Sequence, residues 1–255
     1  MKIIDHQQLS ESFFRLTIES KEIALHARPG QFVNIRCGNT TDPLLRRPFA
    51  IHKRDKERMV FDVLYETVGK GTGELNRRKI GERLDVAGPL GNGFNIDPQK
   101  KIAILIAGGA GIAPLPFLTD HLLDKAVYVI VGFKKQENIV CIDDIKEMNV
   151  QTIITTDDGS AGKKGFSSDL LLSLLDDEIK PQFYETTTIF SCGPRPMLKE
   201  VAAIALAKNI ACQVSIEQKM ACGFGVCLGC SIPTKNGYKL ACKDGPVFDA
   251  AELLW

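Results

Sequence analysis

The chain has 255 residues, of which 44% are hydrophobic and 25% charged, and its formal net charge is +1. This composition is ordinary for a globular protein of one large or two modest domains, and the balanced charge excludes a general attraction to nucleic acid. The longest apolar run, residues 102–106, is too short to cross a bilayer, and the N-terminus has no apolar core of signal-peptide length. We therefore expect a cytoplasmic protein with no membrane segment.

Residues 1–97 are predicted to form an antiparallel β-barrel or sandwich. Apolar side chains alternate with polar ones in residues 14–19, 33–37 and 59–66. A period of two is typical of strands with one buried face. Pro29-Gly30 supplies a turn between two of these segments, and no helical pattern of any length interrupts them.

The pattern changes near Pro98, where apolar strands begin to alternate with helices. Strands are predicted at residues 102–107, 126–133, 150–156, 186–192 and 211–216, and helices at 115–123, 167–175 and 195–208. Such alternation predicts a doubly wound parallel α/β sheet of the nucleotide-binding kind in residues 98–216. Residues 217–255 break the rhythm and form a third, cysteine-rich unit. The chain is thus expected to be an α+β multidomain protein.

Two arginines and a glycine-rich turn in the first domain are candidates for phosphate binding. The guanidinium groups of Arg46 and Arg47 could hold a pyrophosphate, although such a pair is more often a solvated surface feature. Residues 69–73 contain three glycines that could bare backbone N–H groups, and Thr72 adds a hydroxyl. A flexible turn is the alternative, and the Walker A pattern is absent.

A second glycine turn lies between the first strand and first helix of the α/β domain. Gly108, Gly109 and Gly111 would let a dinucleotide pyrophosphate approach the helix N–H groups. The strict G-x-G-x-x-G spacing is absent, so an ordinary tight β–α turn stays open as the alternative.

The segment Ser191–Met197 ends the fourth predicted strand of this domain. Ligands of open α/β sheets bind at the carboxyl ends of strands, so Gly193 and Pro194 are expected to border the nucleotide. Cys192 would then lie beside a nicotinamide or flavin ring, and we predict it as the catalytic residue. The alternative for an isolated cysteine is a small buried apolar side chain.

An acidic pair, Asp157-Asp158, follows the third strand of this domain. A carboxylate here can bind an adenosine ribose and repel a 2′-phosphate, so Asp158 favours NAD over NADP. Lys163 and Lys164 weaken that inference, and a plain Asp-Gly turn is the alternative. None of the four histidines has metal-ligand or triad spacing, so no catalytic role is assigned to them.

Four cysteines near the C-terminus have the spacing C-x4-C-x2-C-x11-C, and the first three reproduce the spacing of plant-type ferredoxins. These are the predicted ligands of a 2Fe–2S cluster: Cys222, Cys227, Cys230 and Cys242. Structural zinc is the main alternative, although zinc sites usually pair their cysteines as C-x2-4-C twice. The other four cysteines are scattered singly, which disfavours disulfides and suits a reducing compartment.

The motifs Arg-Pro-x-x at 47–50, Gly-Gly-x-Gly-x-x-Pro at 108–114 and Cys-Gly-Pro at 192–194 resemble the ferredoxin–NADP reductase superfamily. Within it, residues 44–48, 66–72, 155–160, 220–230 and 242–248 resemble the electron-transfer subunits of class 1B dihydroorotate dehydrogenases, which serve pyrimidine biosynthesis. The resemblance covers essentially the whole chain. It implies FAD, a 2Fe–2S cluster, NAD and an FMN-containing catalytic partner, with two of each subunit in a heterotetramer.

The resemblance also implies roles for individual residues. Arg47 would hold the FAD pyrophosphate, Gly71 and Thr72 would take the phosphates, and the rest would line the flavin or its ribityl chain: Pro48, Phe49, Ala50, Leu64, Tyr65 and Glu66. The superfamily usually has Ser or Thr where Ala50 stands, so the hydroxyl that reaches flavin N5 is missing here.

The predicted function is an electron relay in which single electrons from the cluster are paired on FAD and passed to NAD as hydride. One alternative is the related subunit of an NADPH–ferredoxin transhydrogenase or sulfide dehydrogenase. Another, from a different class, is a zinc-stapled subunit with no catalytic role.

Overall fold

The computed structural model describes residues 1–255 and begins with a six-stranded antiparallel barrel. Its strands are β1 (Lys2–Gln8), β2 (Phe13–Glu19), β3 (Phe32–Arg36), β4 (Arg47–Asp55), β5 (Val60–Glu66) and β6 (Asp85–Leu90), with helices α1 (Lys21–His26) and α2 (Lys70–Asn76). The strand order is β1-β2-β5-β4-β3-β6. Lys2 of β1 forms an isolated bridge with Arg83, and the Ile3 N–H donates to the carbonyl of Glu82 at 2.9 Å, so the sheet closes between β1 and the segment that leads into β6. The predicted barrel is confirmed.

The second unit is a parallel sheet covered by helices. It contains β7 (Ile102–Gly108), α3 (Leu115–Asp120), β8 (Ala126–Phe133), α4 (Asp143–Lys146), β9 (Gln151–Thr156), β10 (Lys163–Lys164), α5 (Ser167–Asp177), β11 (Thr187–Cys192), α6 (Arg195–Ala207) and β12 (Ala211–Ser215). The strand order is β10-β9-β8-β7-β11-β12, all parallel. The reversal of order next to β7 makes this the predicted doubly wound sheet.

The apolar character of β7 follows from burial on both faces. Leu105 packs with residues of α3 and α4, whereas Ile104 and Ile106 pack with residues of α5 and α6. A strand that is covered on both faces has a continuous run of apolar residues rather than alternating apolar and polar residues.

The helix after the glycine turn is shorter than the sequence predicted. Residues 109–112 form a 3-10 turn, and α3 spans only Leu115–Asp120 rather than residues 115–123. The N–H groups of His121 and Leu122 bond three residues back, which tightens and ends the helix. The N–H groups predicted to bind a pyrophosphate therefore lie in the 3-10 turn, before the α-helix begins.

Residues 217–255 link the first two units. They contain the hairpin β13 (Ser231–Thr234) and β14 (Gly237–Leu240), followed by β15 (Val247–Asp249). Strand β15 pairs antiparallel with β12 and extends the parallel sheet at that edge. The domain limits 1–97, 98–216 and 217–255 remain a prediction, since the third unit contributes a strand to the second. None of the helices has the length and apolar character that a membrane crossing requires.

Candidate cofactor and electron-transfer site

The four cysteine thiols of the third unit form two pairs. The Cys230 and Cys242 sulfurs lie 3.2 Å apart, and the Cys227 side chain lies close enough to Cys222 to lower its pKa. No three of these sulfurs lie within 4.8 Å of one another. A single zinc ion would draw all four to roughly 3.8 Å from each other, given Zn–S bonds of about 2.3 Å in a tetrahedron. Two pairs of thiolates are what two irons require, so the donor set fits a 2Fe–2S cluster better than zinc.

Backbone N–H groups of the loop point at these sulfurs. Gly225 N–H lies 3.1 Å from the Cys242 sulfur, and Val226 N–H lies 3.4 Å from that of Cys222. Burial by itself would raise the pKa of Cys222, but N–H groups of Cys227, Phe224 and Val226 lower it to about 6. Cys222 is therefore ready to ligate iron as a thiolate.

The pKa of the fourth predicted ligand, Cys242, is shifted in the opposite direction. Burial and the adjacent Cys230 thiol raise the pKa of Cys242 to about 12. Iron binding must displace a proton there, so cluster assembly at this pair depends on pH more strongly than at Cys222.

Strand β4, which carries the predicted flavin-binding residues Pro48, Phe49 and Ala50, presents alternate residues to opposite sides of the barrel wall. The Phe49 ring lies inside the barrel, 5.7 Å from that of Tyr65, whose hydroxyl is 2.8 Å from His6 Nε2. By the period of two, Pro48 and Ala50 face outward, and Ala50 packs toward the second unit. Only the main chain of Phe49 and Tyr65 is placed to meet a flavin outside the barrel.

Strand β5 follows the same alternation. Leu64 lies on the outer face and packs with Cys192 and other residues between the two large units. Glu66 lies two residues further along on the same face, and its charge raises the pKa of Glu217 in addition to the effect of desolvation. The two carboxylates therefore lie near enough to interact through their charges.

The two adjacent arginines have different surroundings. Arg46 forms an ion pair with Asp85 at 2.5 Å, whereas Arg47 has no carboxylate partner. The Arg47 guanidinium lies over Gly71, where an added Cβ would come within 2.8 Å of its Nε. Thr72 Oγ1 accepts the N–H of Val68 at 3.0 Å and shapes the turn. A guanidinium that has no carboxylate partner and lies against a glycine of the helix turn fits the phosphates of FAD.

Five of the six predicted dinucleotide residues, Gly108, Gly109, Gly111, Gly193 and Pro194, lie at the carboxyl ends of the neighbouring strands β7 and β11, whereas Asp158 follows β9, two strands from β7. A Cβ on Gly111 would collide with the carbonyl of Cys192, and one on Gly108 would lie 3.0 Å from Pro194 Cδ. Gly193 has φ +153° and rests on Gly108. This crevice is where open α/β sheets bind nucleotides.

One glycine of this crevice borders open space. Gly109 has φ +52°, and a Cβ added to it would meet no atom within 4 Å. The room above the turn, together with the close packing beneath it, fits a bound pyrophosphate.

Cys192 is 6% exposed, and burial raises its pKa to about 12, with a further rise from the charge of Glu217. The thiol is therefore neutral at pH 7, although the nearby Ser215 side chain opposes the rise in its pKa. It is suited to packing against a ring rather than to nucleophilic attack, and its catalytic role stays a prediction.

The carboxylate of Asp158 accepts hydrogen bonds from within the turn that contains it. It accepts the N–H of Ser160 at 2.9 Å and the hydroxyl at 2.6 Å, and these bonds lower its pKa. Asp158 thus stabilises the Asp-Gly turn that was the alternative interpretation of this segment. Binding of a ribose by Asp158 remains a prediction. Lys164 packs beside Gly159 in the same turn.

Sequence reasoning missed two residues of the site. Asn34 is fully buried and donates through Nδ2 to the Cys222 carbonyl at 3.4 Å. The charge of Glu217 raises the pKa of Cys192, and the charge of Glu66 raises that of Glu217, so the three groups lie near one another. The position of Glu217 just after the fifth strand of the parallel sheet was a usable signal, whereas nothing near Asn34 in the sequence indicates the cluster.

Three protein-family descriptions match successive parts of the chain. Residues 1–94 match the oxidoreductase FAD-binding domain, residues 105–203 the oxidoreductase NAD-binding domain, and residues 217–254 the iron–sulfur cluster binding domain of dihydroorotate dehydrogenase B. Among curated proteins, the dihydroorotate dehydrogenase B (NAD(+)) electron transfer subunit of Desulforamulus reducens is 36% identical over 100% of this chain and 97% of its own length. That of Clostridium acetobutylicum is 35% identical over 99% and 96%.

The chain belongs to the family of dihydroorotate dehydrogenase B electron transfer subunits. It is an NAD-linked flavin and iron–sulfur oxidoreductase subunit with FAD-binding, NAD-binding and cluster-binding domains. The predicted resemblance and cofactors are confirmed, and the zinc-stapled alternative is wrong.

Solved structures show the same architecture. A structure of an NADH-dependent reduced ferredoxin–NADP oxidoreductase has a TM-score of 0.89 and 31% identity, covering 100% of this chain and 89% of its own. The ferredoxin reductase of carbazole 1,9a-dioxygenase has a TM-score of 0.69 at 20% identity, covering 82% and 65%, which shows the fold alone. The similarity to the NADH-dependent reduced ferredoxin–NADP oxidoreductase is expected, because the transhydrogenase-type subunits considered as an alternative function share this architecture. The curated relatives do not favour that alternative function.

Proposed function

We propose that this chain carries electrons from a dihydroorotate-oxidising partner, through its cluster and FAD, to NAD. The observation that supports this is the packing of the cluster segment on β3. Phe32 packs with Cys230 and Cys242, and the register places Phe32 opposite Ala50 of the flavin strand. Neighbouring strands are about 4.8 Å apart, so the cluster segment and the flavin face adjoin.

A bound FAD supplies the exchange between single electrons and hydride. We propose that Arg47, Gly71 and Thr72 hold its phosphates. The flavin would be bordered by side chains or main chain of Pro48, Phe49, Ala50, Leu64, Tyr65 and Glu66. The dinucleotide would be held by Gly108, Gly109, Gly111, Asp158, Gly193 and Pro194, with Cys192 against the ring.

The proposed partner is an FMN-containing catalytic subunit, in a heterotetramer with two copies of each chain. It would dock on the cysteine loop, where Phe224, Val226 and Leu228 are 60–73% exposed. Exposed apolar side chains grouped beside a redox centre are typical of a protein interface. No disulfide joins any of the eight cysteines, which supports a cytoplasmic location.

The test separates the two redox centres. Cys230→Ala should keep FAD and NADH–dye activity but lose electron transfer that depends on the cluster. Cys212→Ala, a buried cysteine of the parallel sheet, is the matched control and should keep both. Equal loss of both activities in Cys230→Ala, with Cys212→Ala unaffected, would contradict the relay. Co-purification with a protein other than an FMN-containing dihydroorotate dehydrogenase would contradict the partner.

A further inference from the structure

A single buried histidine joins the flavin strand to the dinucleotide turn. His52 lies two residues after Ala50 on β4 and is 0% exposed. Its Nδ1 is 2.7 Å from the carbonyl of Ala113, which lies two residues after Gly111. A carbonyl only accepts hydrogen bonds, so Nδ1 carries a proton. One bond thus spans the two large units at the places that would hold the two reacting cofactors.

The local backbone explains why the side chain reaches so far. The β4–β5 register shifts between Ile51 and Lys53, so His52 lies in a β-bulge. Bulges redirect side chains and are frequent beside active sites. Ile51, immediately before the bulge, remains in the barrel core.

A carboxylate holds the imidazole from its other side. His52 Nε2 lies 3.4 Å from Asp144 Oδ2, at the start of α4. Asp144 is in turn held by Lys53 Nζ at 2.5 Å and Arg15 at 3.4 Å, both from the barrel. The ring therefore has contacts with the second unit at both nitrogens.

The group of His52, Cys141 and Asp144 is not explained by metal binding. The ligand atoms of His52, Cys141 and Asp144 lie within 4.8 Å of one another. However, Lys53 and Arg15 already meet the charge of Asp144, and two cations beside a site oppose binding of a third. The arrangement is a link between domains.

We propose that His52 is a positioning residue that sets the flavin strand against the dinucleotide turn for hydride transfer. Hydride transfer needs the reacting atoms within about 3–3.5 Å, and a shift of 1 Å can cost about a hundredfold in rate. Here the flavin face belongs to the barrel and the nicotinamide crevice to the parallel sheet. The bond from His52 to Ala113 fixes that distance. The inference rests on the hydride exchange between NAD and FAD in the proposed function.

The experiment uses the complete holoenzyme with three variants. His52→Leu keeps the volume and removes the donor, whereas His52→Gln keeps one N–H that can reach the Ala113 carbonyl. His121→Leu is the matched control, because His121 bonds only within α3, to the carbonyl of Phe117 at 3.0 Å. Flavin and iron contents, and amide hydrogen exchange of residues 109–113, are measured alongside stopped-flow reduction of FAD by NADH and by deuterated NADH.

His52→Leu should keep full flavin and iron, yet reduce FAD at least tenfold more slowly, with a weaker NADH–flavin charge-transfer absorbance and faster exchange of residues 109–113. His52→Gln should recover part of the rate, and His121→Leu should match the wild type. A wild-type rate in flavin-loaded His52→Leu would overturn the proposal, as would loss of flavin from both His52→Leu and His52→Gln, since the role of His52 would then be structural. If the proposed function itself is wrong, NADH will fail to reduce FAD in the wild type as well.

Discussion

At the scale of single residues, Arg46 and Arg47 are chemically identical neighbours that the structure assigns to different tasks. Arg46 donates to Asp85 and to that residue's carbonyl, so its guanidinium is engaged on the barrel surface. Arg47 bonds only to carbonyls of its own loop and lies over Gly71. The guanidinium of Arg47, which no carboxylate occupies, is therefore the one able to donate two hydrogen bonds to a pyrophosphate.

We therefore expect Arg47→Leu to weaken FAD binding at least a hundredfold, since a charge-assisted bidentate contact is lost. Arg46→Leu should bind FAD with wild-type affinity and change stability by less than about 1 kcal/mol, as is usual for an exposed ion pair. Flavin fluorescence titration of both apoproteins measures the affinities. Equal losses in the two variants would refute the assignment of Arg47.

Two glycines of α2 provide a second comparison. A Cβ at Gly71 would come within 2.8 Å of Arg47 Nε, whereas one at Gly73 would meet no atom within 4 Å. Gly71→Ala should displace the guanidinium and lower FAD affinity about tenfold or more. Gly73→Ala should keep FAD and raise stability by about 0.5–1 kcal/mol, because alanine favours a helix. Unchanged affinity in Gly71→Ala would show that the turn tolerates a side chain.

At the scale of elements, β4 does more than carry the flavin motif. Beyond the bulge, Lys53 pairs with Asp144 of α4, and the Arg54 guanidinium lies 5.2 Å from the centre of the Phe117 ring of α3. Phe117 itself packs into the barrel core. The same strand therefore orders the flavin face and fastens the second unit to it.

Asp144 should contribute to stability in a pH-dependent way. Although burial opposes its ionisation, hydrogen bonds from His52 and Lys53 hold its pKa well below the usual value. Because the folded pKa is depressed, this stability is fully present above the unfolded value near 4 and is lost as the pH falls below it. Asp144→Asn should cost roughly 2 kcal/mol at pH 7 and pH 5 and less at pH 3.5. Urea unfolding at the three pH values measures this, and a constant difference would contradict it.

At the scale of the whole molecule, the third unit lies between the other two. Asn92 of the barrel donates to the carbonyls of Lys243 and Asp244, just after the last cluster ligand. A few residues later β15 enters the parallel sheet. The cluster segment is thus anchored on both large units.

Removal of iron should therefore destabilise more than the cysteine loop. Ligand binding adds to the free energy of unfolding, and β15 couples this segment to the sheet. We expect chelation to lower the midpoint of thermal unfolding by about 5 °C or more, since about 1 kcal/mol corresponds to roughly 2–4 °C in a domain of this size. Calorimetry of the native and chelated protein tests this. An unchanged transition in the sheet would show that the loop is independent.

The sequence by itself determined the barrel, the doubly wound sheet and the cluster chemistry. Each rests on a local pattern: the period of two, the alternation of strands and helices, and ligand spacing within 21 residues. The helix predicted at residues 115–123 was too long, because i→i−3 bonds after Asp120 end it in a way that apolar periodicity does not reveal.

Only the tertiary structure decided which groups meet. The bond from Asn34 to Cys222 joins residues 188 apart, and that from His52 to Ala113 joins residues 61 apart. The pairing of the four sulfurs and the separate surroundings of Arg46 and Arg47 also depend on how the units pack. The physical reason is that local patterns record which face of an element is buried, whereas a contact between distant residues depends on how whole elements pack.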